Sequence, residues 1–66
     1  MGSGVLMPVR LYRFYNMEKS RYGEPFALCD QCKPRQVVPA VCYLEKIADE
    51  SVWACINCGA RNPEKD

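Results

Sequence analysis

Four of the five cysteines in this 66-residue chain form two pairs, each with two residues between its members. The first pair is Cys29 and Cys32, in the stretch LCDQCKP, and the second is Cys55 and Cys58, in CINCG. A CxxC segment turns the backbone so that both sulfur atoms can point at one ion, and two facing segments complete a tetrahedron of thiolates. The spacing therefore predicts one metal site with these four cysteines as its ligands.

The two pairs resemble the knuckles of the zinc-ribbon and rubredoxin-like group of small β folds, and the resemblance covers residues 28–60. It implies a short antiparallel sheet and a site of four cysteine ligands, which leaves a bound Zn²⁺ ion no open position for substrate. It does not imply one activity, because folds of this group serve proteins of many kinds. Iron is the alternative metal, since rubredoxin-like sites hold it in the same tetrahedron.

The residues after each knuckle favour zinc over iron. In the rubredoxin-like pattern, a glycine after the second cysteine takes a positive φ, and the next amide then donates to sulfur. Gly59 and Ala60 fit this pattern, whereas Lys33 and Pro34 follow the first knuckle and proline has no N–H to donate. Fewer N–H···S bonds leave more charge on sulfur and disfavour a reduced iron site, so we expect redox-inert zinc.

Other uses of the cysteines are less well supported. Because the sequence shows no signal peptide and no apolar run of membrane-spanning length, we expect a cytoplasmic protein, where thiols stay reduced. A thioredoxin-like redox pair would need a βαβ framework, for which the chain is too short. Cys42 is left over, and we interpret it as a small apolar residue on the inner face of a strand.

The chain divides into four parts around these ligands. Residues 1–7 are interpreted as a disordered leader or tag remnant, and residues 63–66 as a frayed tail. Residues 8–25 form an N-terminal strand, predicted over 8–16, followed by a polar loop or a single helical turn that ends at a glycine. Residues 26–62 form the zinc-ribbon core, which contains every cysteine.

Two structures compete for the 22 residues between the cysteine pairs. A hairpin would have a first strand with four small or apolar side chains on one face (Val38, Ala40, Cys42 and Leu44), a turn over 48–51 and a return through Val52 and Ala54. A helix over 39–49 would begin at a proline and carry an apolar stripe. We favour the hairpin because it would bring the two pairs together at one end.

Charge and aromatic content limit the kinds of partner. The net charge of +1 divides into +3 for residues 1–22 and −2 for residues 23–66. Four thiolates around a divalent ion would bring the total to about −1, which argues against general polyanion binding. Basic residues are interleaved with aromatic ones in VRLYRFY, and these side chains are candidates for contact with a partner: Arg10, Tyr12, Arg13, Phe14 and Tyr15. Alternatively, the aromatic rings fill the small core while the arginines are solvated.

The sequence thus predicts a small metal-stabilised β-rich domain, a zinc ribbon with an added N-terminal strand. A chain this short needs such a staple, because it cannot bury an extensive apolar core. We expect an interaction module without catalysis of its own, since four cysteine ligands leave a zinc ion no open position and the chain has no histidine to activate Cys42 as a nucleophile. The expected partner is a protein, with nucleic acid less supported and no membrane. The rival interpretations are a rubredoxin-like iron electron carrier and an accessory domain of a larger enzyme.

Overall fold

The computed structural model describes residues 6–63, and most of its regular structure is one small antiparallel sheet. In chain order the strands are β1 (Val9–Asn16), β2 (Arg21–Tyr22), β3 (Phe26–Cys29) and β4 (Cys42–Ala48). A single 3-10 turn, Lys33–Arg35, follows the first cysteine pair. The protein is therefore a small β-rich domain, and the strand predicted over residues 8–16 is confirmed as β1.

The strand predicted as an addition to the core is the central strand of the sheet. Along one edge, β1 pairs with β4 through its residues 11–16. Along the other edge, it pairs with β3 through residues 9–12 and with β2 through residues 15–16. Both faces of β1 carry aromatic or apolar side chains, which favour pairing and packing with other strands. The other three strands therefore assemble around β1.

The polar segment after β1 forms a tight turn and a short strand, and the helical turn considered for it is absent. Asn16 begins the turn, since its side-chain Oδ1 accepts the backbone N–H of Lys19 at 2.9 Å. Ser20 has a φ of 53°, which lets the chain reverse. The returning β2 is followed by Gly23, whose N–H donates to the carbonyl of Phe14 at 2.8 Å.

The hairpin predicted between the cysteine pairs does not form. A strand does form in its first half, but it is displaced: β4 covers Cys42–Ala48, so Val38 and Ala40 precede it and Ala48, predicted to lie in the turn, is its last residue. The helix over 39–49 is wrong, because β4 is extended. However, within residues 6–63 the strand that pairs with β4 is β1, and Val52 is 87% exposed. The physical reason lies at Ser51, whose Oγ accepts the N–H of Trp53 at 2.9 Å and bends the chain where the returning strand would begin.

The core lies where β1 and β3 meet the second cysteine pair. Its members are buried apolar residues from both ends of the chain: Val9, Tyr12, Ala27, Leu28, Cys29, Cys55 and Ala60. Two of the predicted metal ligands, Cys29 and Cys55, belong to this core, so the apolar interior and the cysteine cluster are one body. Cys42 is only half-buried in β4.

The predicted leader and tail fall mainly on residues 1–5 and 64–66, which lie outside the described residues. Leu6, which the sequence assigned to the leader, forms an isolated parallel bridge with Arg61. The Met7 N–H donates to the Arg61 carbonyl at 3.2 Å. In the part of the chain that the structure describes, no helix has the length and apolar character needed to cross a membrane.

Candidate metal centre

The structure brings the four predicted ligands together. The Sγ atoms of Cys29, Cys32, Cys55 and Cys58 all lie within 4.8 Å of one another. Sulfur atoms at the corners of a tetrahedron, each about 2.3 Å from a zinc ion, would be about 3.8 Å apart. The distance from Cys29 Sγ to Cys58 Sγ is 3.5 Å, close to that value. The four cysteines are therefore positioned to bind a metal ion.

The first knuckle grows directly out of the sheet. Cys29 is the last residue of β3 and is fully buried. The chain then turns, and the N–H of Cys32 donates to the carbonyl of Cys29 at 3.2 Å. The 3-10 turn continues from there, with the N–H of Arg35 bonded to the carbonyl of Cys32 at 3.0 Å. Pro34 suits this first turn because its missing N–H has no partner there to lose.

The second knuckle is irregular and is fixed by backbone hydrogen bonds. The N–H of Ile56 donates to the carbonyl of Ala27 at 3.0 Å, which attaches the knuckle to β3. Within the knuckle, Cys55 donates to the carbonyl of Ala60 at 2.8 Å and accepts from Gly59 at 2.9 Å. Gly59 has a φ of 80°, the left-handed conformation expected of it from the sequence.

The pKa values of two cysteine thiols are shifted in opposite directions, one by backbone N–H groups and the other by a neighbouring thiol and burial. Burial alone would raise the pKa of the Cys55 thiol, but backbone hydrogen bonds, that of Cys29 foremost, lower this pKa to about 6. The N–H of Asn57, 3.4 Å from Cys55 Sγ, is another of these donors. By contrast, the hydrogen bond to Cys29 and burial raise the pKa of Cys32 to about 12. A cation is what allows such crowded thiols to ionise together.

The two knuckles differ in the amides they direct at sulfur. The backbone N–H of Ala60 lowers the pKa of Cys58, although the thiol of Cys29 and burial raise that pKa more. This amide is the donor expected after Gly59. The first knuckle has Pro34 at the equivalent place, and proline has no N–H. The second knuckle is therefore the better preorganised half of the site.

The five side chains predicted to contact a partner do not form one surface. Tyr12 is buried in the core at 5% exposure. Phe14 lies against Phe26, with ring centroids 5.2 Å apart. Arg10 forms an ion pair with Asp30, beside the first knuckle. Consecutive residues of a strand point to opposite faces, and β1 accordingly separates these residues.

Arg13 and Tyr15 lie on the opposite side of β1 and belong to an aromatic surface that the sequence did not reveal. We call it the tyrosine face, and its members come from three strands: Arg13, Tyr15, Tyr22, Tyr43 and Glu45. The ring of Tyr15 lies 4.9 Å from that of Tyr22 and 5.4 Å from that of Tyr43. The Arg13 guanidinium lies 3.6 Å above the Tyr22 ring, and its Nε donates to Glu45 at 2.6 Å. The sequence shows that Arg13 and Tyr15 lie two residues apart and so share one face of β1. It does not show the register of β2 and β4, which brings the other members to that face.

Comparison of the chain with protein-family models, with curated proteins and with solved structures gives no match.

Proposed function

We propose that this protein is a zinc-binding structural module of the zinc-ribbon type, which contacts a protein partner and carries out no catalysis of its own. The observation that carries this proposal is the group of four Sγ atoms within 4.8 Å. Because Cys29 and Cys55 are also core residues, an ion at this place stabilises the same body that the apolar side chains build. Metal binding then contributes directly to the free energy of folding.

The difference between the two knuckles supports zinc as the metal. An iron site that changes oxidation state relies on N–H···S bonds to spread the extra charge of its reduced form. Ala60 supplies such an amide in the second knuckle, but Pro34 cannot supply one in the first. Zinc keeps one oxidation state and therefore does not need an N–H···S bond of this kind in both knuckles. Four thiolates also complete its tetrahedral shell, which supports a structural role for the ion.

The tyrosine face supports a protein partner in preference to a nucleic acid. Tyr22 and Tyr43 are 50% and 46% exposed, and tyrosine is enriched in protein–protein interfaces. Arg13, the cation of this face, is already paired with Glu45. The Glu45 carboxylate would repel a phosphate backbone, and nucleic-acid affinity depends on phosphate contacts.

Metal analysis of the purified protein tests the central part of the proposal. We expect a colourless protein with one zinc ion per chain. The Cys55→Ser variant should lose this zinc, whereas the matched Cys42→Ser variant should keep it, since Cys42 is not in the cluster. A red protein that contains stoichiometric iron would show that the bound metal is iron and would contradict the assignment of zinc. Metal-free protein that is fully folded would refute the proposal.

Binding to labelled single-stranded oligonucleotides tests the choice of partner. We expect no binding at low salt, because the tyrosine face offers no unpaired cation to phosphate. Binding that weakens steeply as salt rises would instead indicate phosphate contacts and a nucleic-acid partner.

A further inference from the structure

The outer edge of β4 carries backbone groups that the sheet does not use. On one side β4 pairs with β1, and no other strand of residues 6–63 lies along its second side. Apolar side chains along this strand are half exposed, with Tyr43 at 46% and Ile47 at 39%. An edge with free N–H and C=O groups offers a template on which another strand can pair.

The register between β1 and β4 shows which groups point inward. In an antiparallel pair, opposite residues alternate between those that exchange two hydrogen bonds and those that exchange none. The N–H of Met17 donates to the carbonyl of Val41 at 2.8 Å, which identifies this pair as a bonded one. Counting along the regular register, Tyr43 and Glu45 also direct their backbone groups toward β1.

The residues between them, Cys42, Leu44 and Lys46, therefore direct their backbone groups away from β1. A contact on the other edge of β1 agrees with this assignment: Phe14, opposite Leu44, accepts the N–H of Gly23 at 2.8 Å and so turns its carbonyl away from β4. The N–H of Cys42 is satisfied locally by the carbonyl of Pro39 at 2.9 Å. The outward set is thus the Cys42 carbonyl and both backbone groups of Leu44 and of Lys46.

We infer that this edge pairs with the same edge of a second copy of the chain, antiparallel about a twofold axis at Leu44. Each Leu44 N–H donates to the carbonyl of Leu44 of the partner subunit. Each Lys46 N–H donates to the carbonyl of Cys42 of the partner subunit. Apart from the Lys46 carbonyl, whose donor would be the Cys42 N–H already bonded to Pro39, the outward groups of residues 42–46 match themselves under this rotation. That self-complementarity favours a second copy as the occupant.

Charge and strand length select this centre over its neighbours. A twofold axis at Glu45 would oppose two carboxylates, and one at Lys46 would oppose two ammonium groups. An axis at Tyr43 would leave only residues 42–44 of the strand paired. With the axis at Leu44, the partner of Glu45 is a tyrosine, the partner of Lys46 is a cysteine, and five residues of each strand pair.

The features that usually protect an edge do not block this segment. The irregularity between β1 and β4 lies after Lys46, toward Ala48, and so ends the paired segment without interrupting it. The Lys46 ammonium is held by Asp49, in the same chain. The rotation also keeps both tyrosine faces on one side of the enlarged sheet, because its axis is perpendicular to the sheet.

Two substitutions at Lys46 distinguish the effect of its backbone N–H on dimerisation from the effect of its side chain. Lys46→Pro removes the outward N–H and no bond to β1, whereas Lys46→Ala keeps the N–H and removes the same ammonium. We would measure sedimentation equilibrium of the zinc-loaded protein from about 10 µM to about 1 mM, since a small interface is weak. Wild type and Lys46→Ala should form dimers. The dimer dissociation constant of Lys46→Pro should be at least about tenfold higher, or its dimer should not be detected. Monomers throughout, or equal dimerisation of both variants, would overturn the inference.

A disulfide test fixes the register and stays decisive if Lys46→Pro fails to fold. Opposite bonded residues have Cα atoms about 5.5 Å apart, within the range of about 4.4 to 6.8 Å for a disulfide. The Lys46→Cys variant should therefore form an intermolecular disulfide with native Cys42 under mild oxidation, mapped by mass spectrometry. Adding Cys42→Ser should abolish it. A crosslink that survives Cys42→Ser, or none in either variant, would overturn this register.

Discussion

The Sγ atom of Cys29 lies 3.5 Å from the Sγ atom of Cys58, and this contact joins the end of β3 to a knuckle 29 positions further along the chain. The N–H of Ile56 reinforces the same junction by donating to Ala27 at 3.0 Å. So short a chain buries few apolar side chains, and those of the second knuckle that reach the core are small, Cys55 and Ala60. An ion shared by the two knuckles would therefore connect the irregular C-terminal half to the sheet.

Serine at Cys29 is expected to abolish cooperative unfolding, because a hydroxyl is a poor soft ligand and the remaining three thiolates cannot close the site. The measurement is thermal unfolding followed by circular dichroism with equimolar zinc. Cys42→Ser is the matched control, and its loss should be only about 1 kcal/mol. Equal effects of the two changes would contradict the assignment of ligands.

Alanine at Gly59 should destabilise the protein through its backbone. A Cβ there would meet nothing within 4 Å, so the expected loss of about 1–2 kcal/mol comes from the φ of 80° alone. Gly23→Ala is the control, because its Cβ would make only an ordinary 3.9 Å contact with Phe14. Chemical denaturation of the zinc-loaded variants gives both free energies of unfolding. If Gly23→Ala lowers the free energy of unfolding as much as Gly59→Ala does, the left-handed conformation of Gly59 is not the cause of the loss.

Asn62 is expected to be the most important polar side chain outside the cysteine cluster. Its Nδ2 donates to the carbonyls of Val9 at 2.7 Å and Ser51 at 3.0 Å, and its Oδ1 accepts the N–H of Val9 at 2.9 Å. Val9 is fully buried, so Asn62→Ala leaves its backbone groups without partners, at about 2–4 kcal/mol. Equilibrium denaturation should show little change for Asn57→Ala, an exposed asparagine. A loss below about 1 kcal/mol for Asn62→Ala would contradict this view.

The ion pair between Lys46 and Asp49 predicts a pH effect. The hydrogen bond from Lys46, then its charge, lowers the pKa of Asp49 below the ordinary carboxyl value. Because the folded-state pKa is lowered, the stabilisation is present above the unfolded-state pKa of about 3.9 and is lost as pH falls through the folded-state value. An NMR titration should show the Asp49 pKa rising in Lys46→Ala and staying low in Lys46→Arg. An unchanged pKa in Lys46→Ala would show that the pair does not form in solution.

The parts of this molecule that depend on local sequence were predictable, and those that depend on distant pairing were not. CxxC spacing identifies Cys29 and Cys32 as a ligand pair without any knowledge of the sheet. The partner of β4 is a non-local choice, and the short apolar pattern at residues 52–54 could not compete with the eight-residue β1 once Ser51 bent the chain. The tyrosine face was missed for the same reason, since Tyr22 and Tyr43 come from strands whose register the sequence does not show.

The most direct test of the account is the two-dimensional ¹H–¹⁵N NMR spectrum of the reduced protein before and after a strong chelator removes the metal. We expect the dispersed amide signals to collapse into the narrow range of an unfolded chain, because metal binding and folding are one event. One equivalent of Zn²⁺ should then restore the original spectrum. A metal-free protein that keeps its dispersed spectrum would contradict the claim that the four cysteines hold this fold together through an ion.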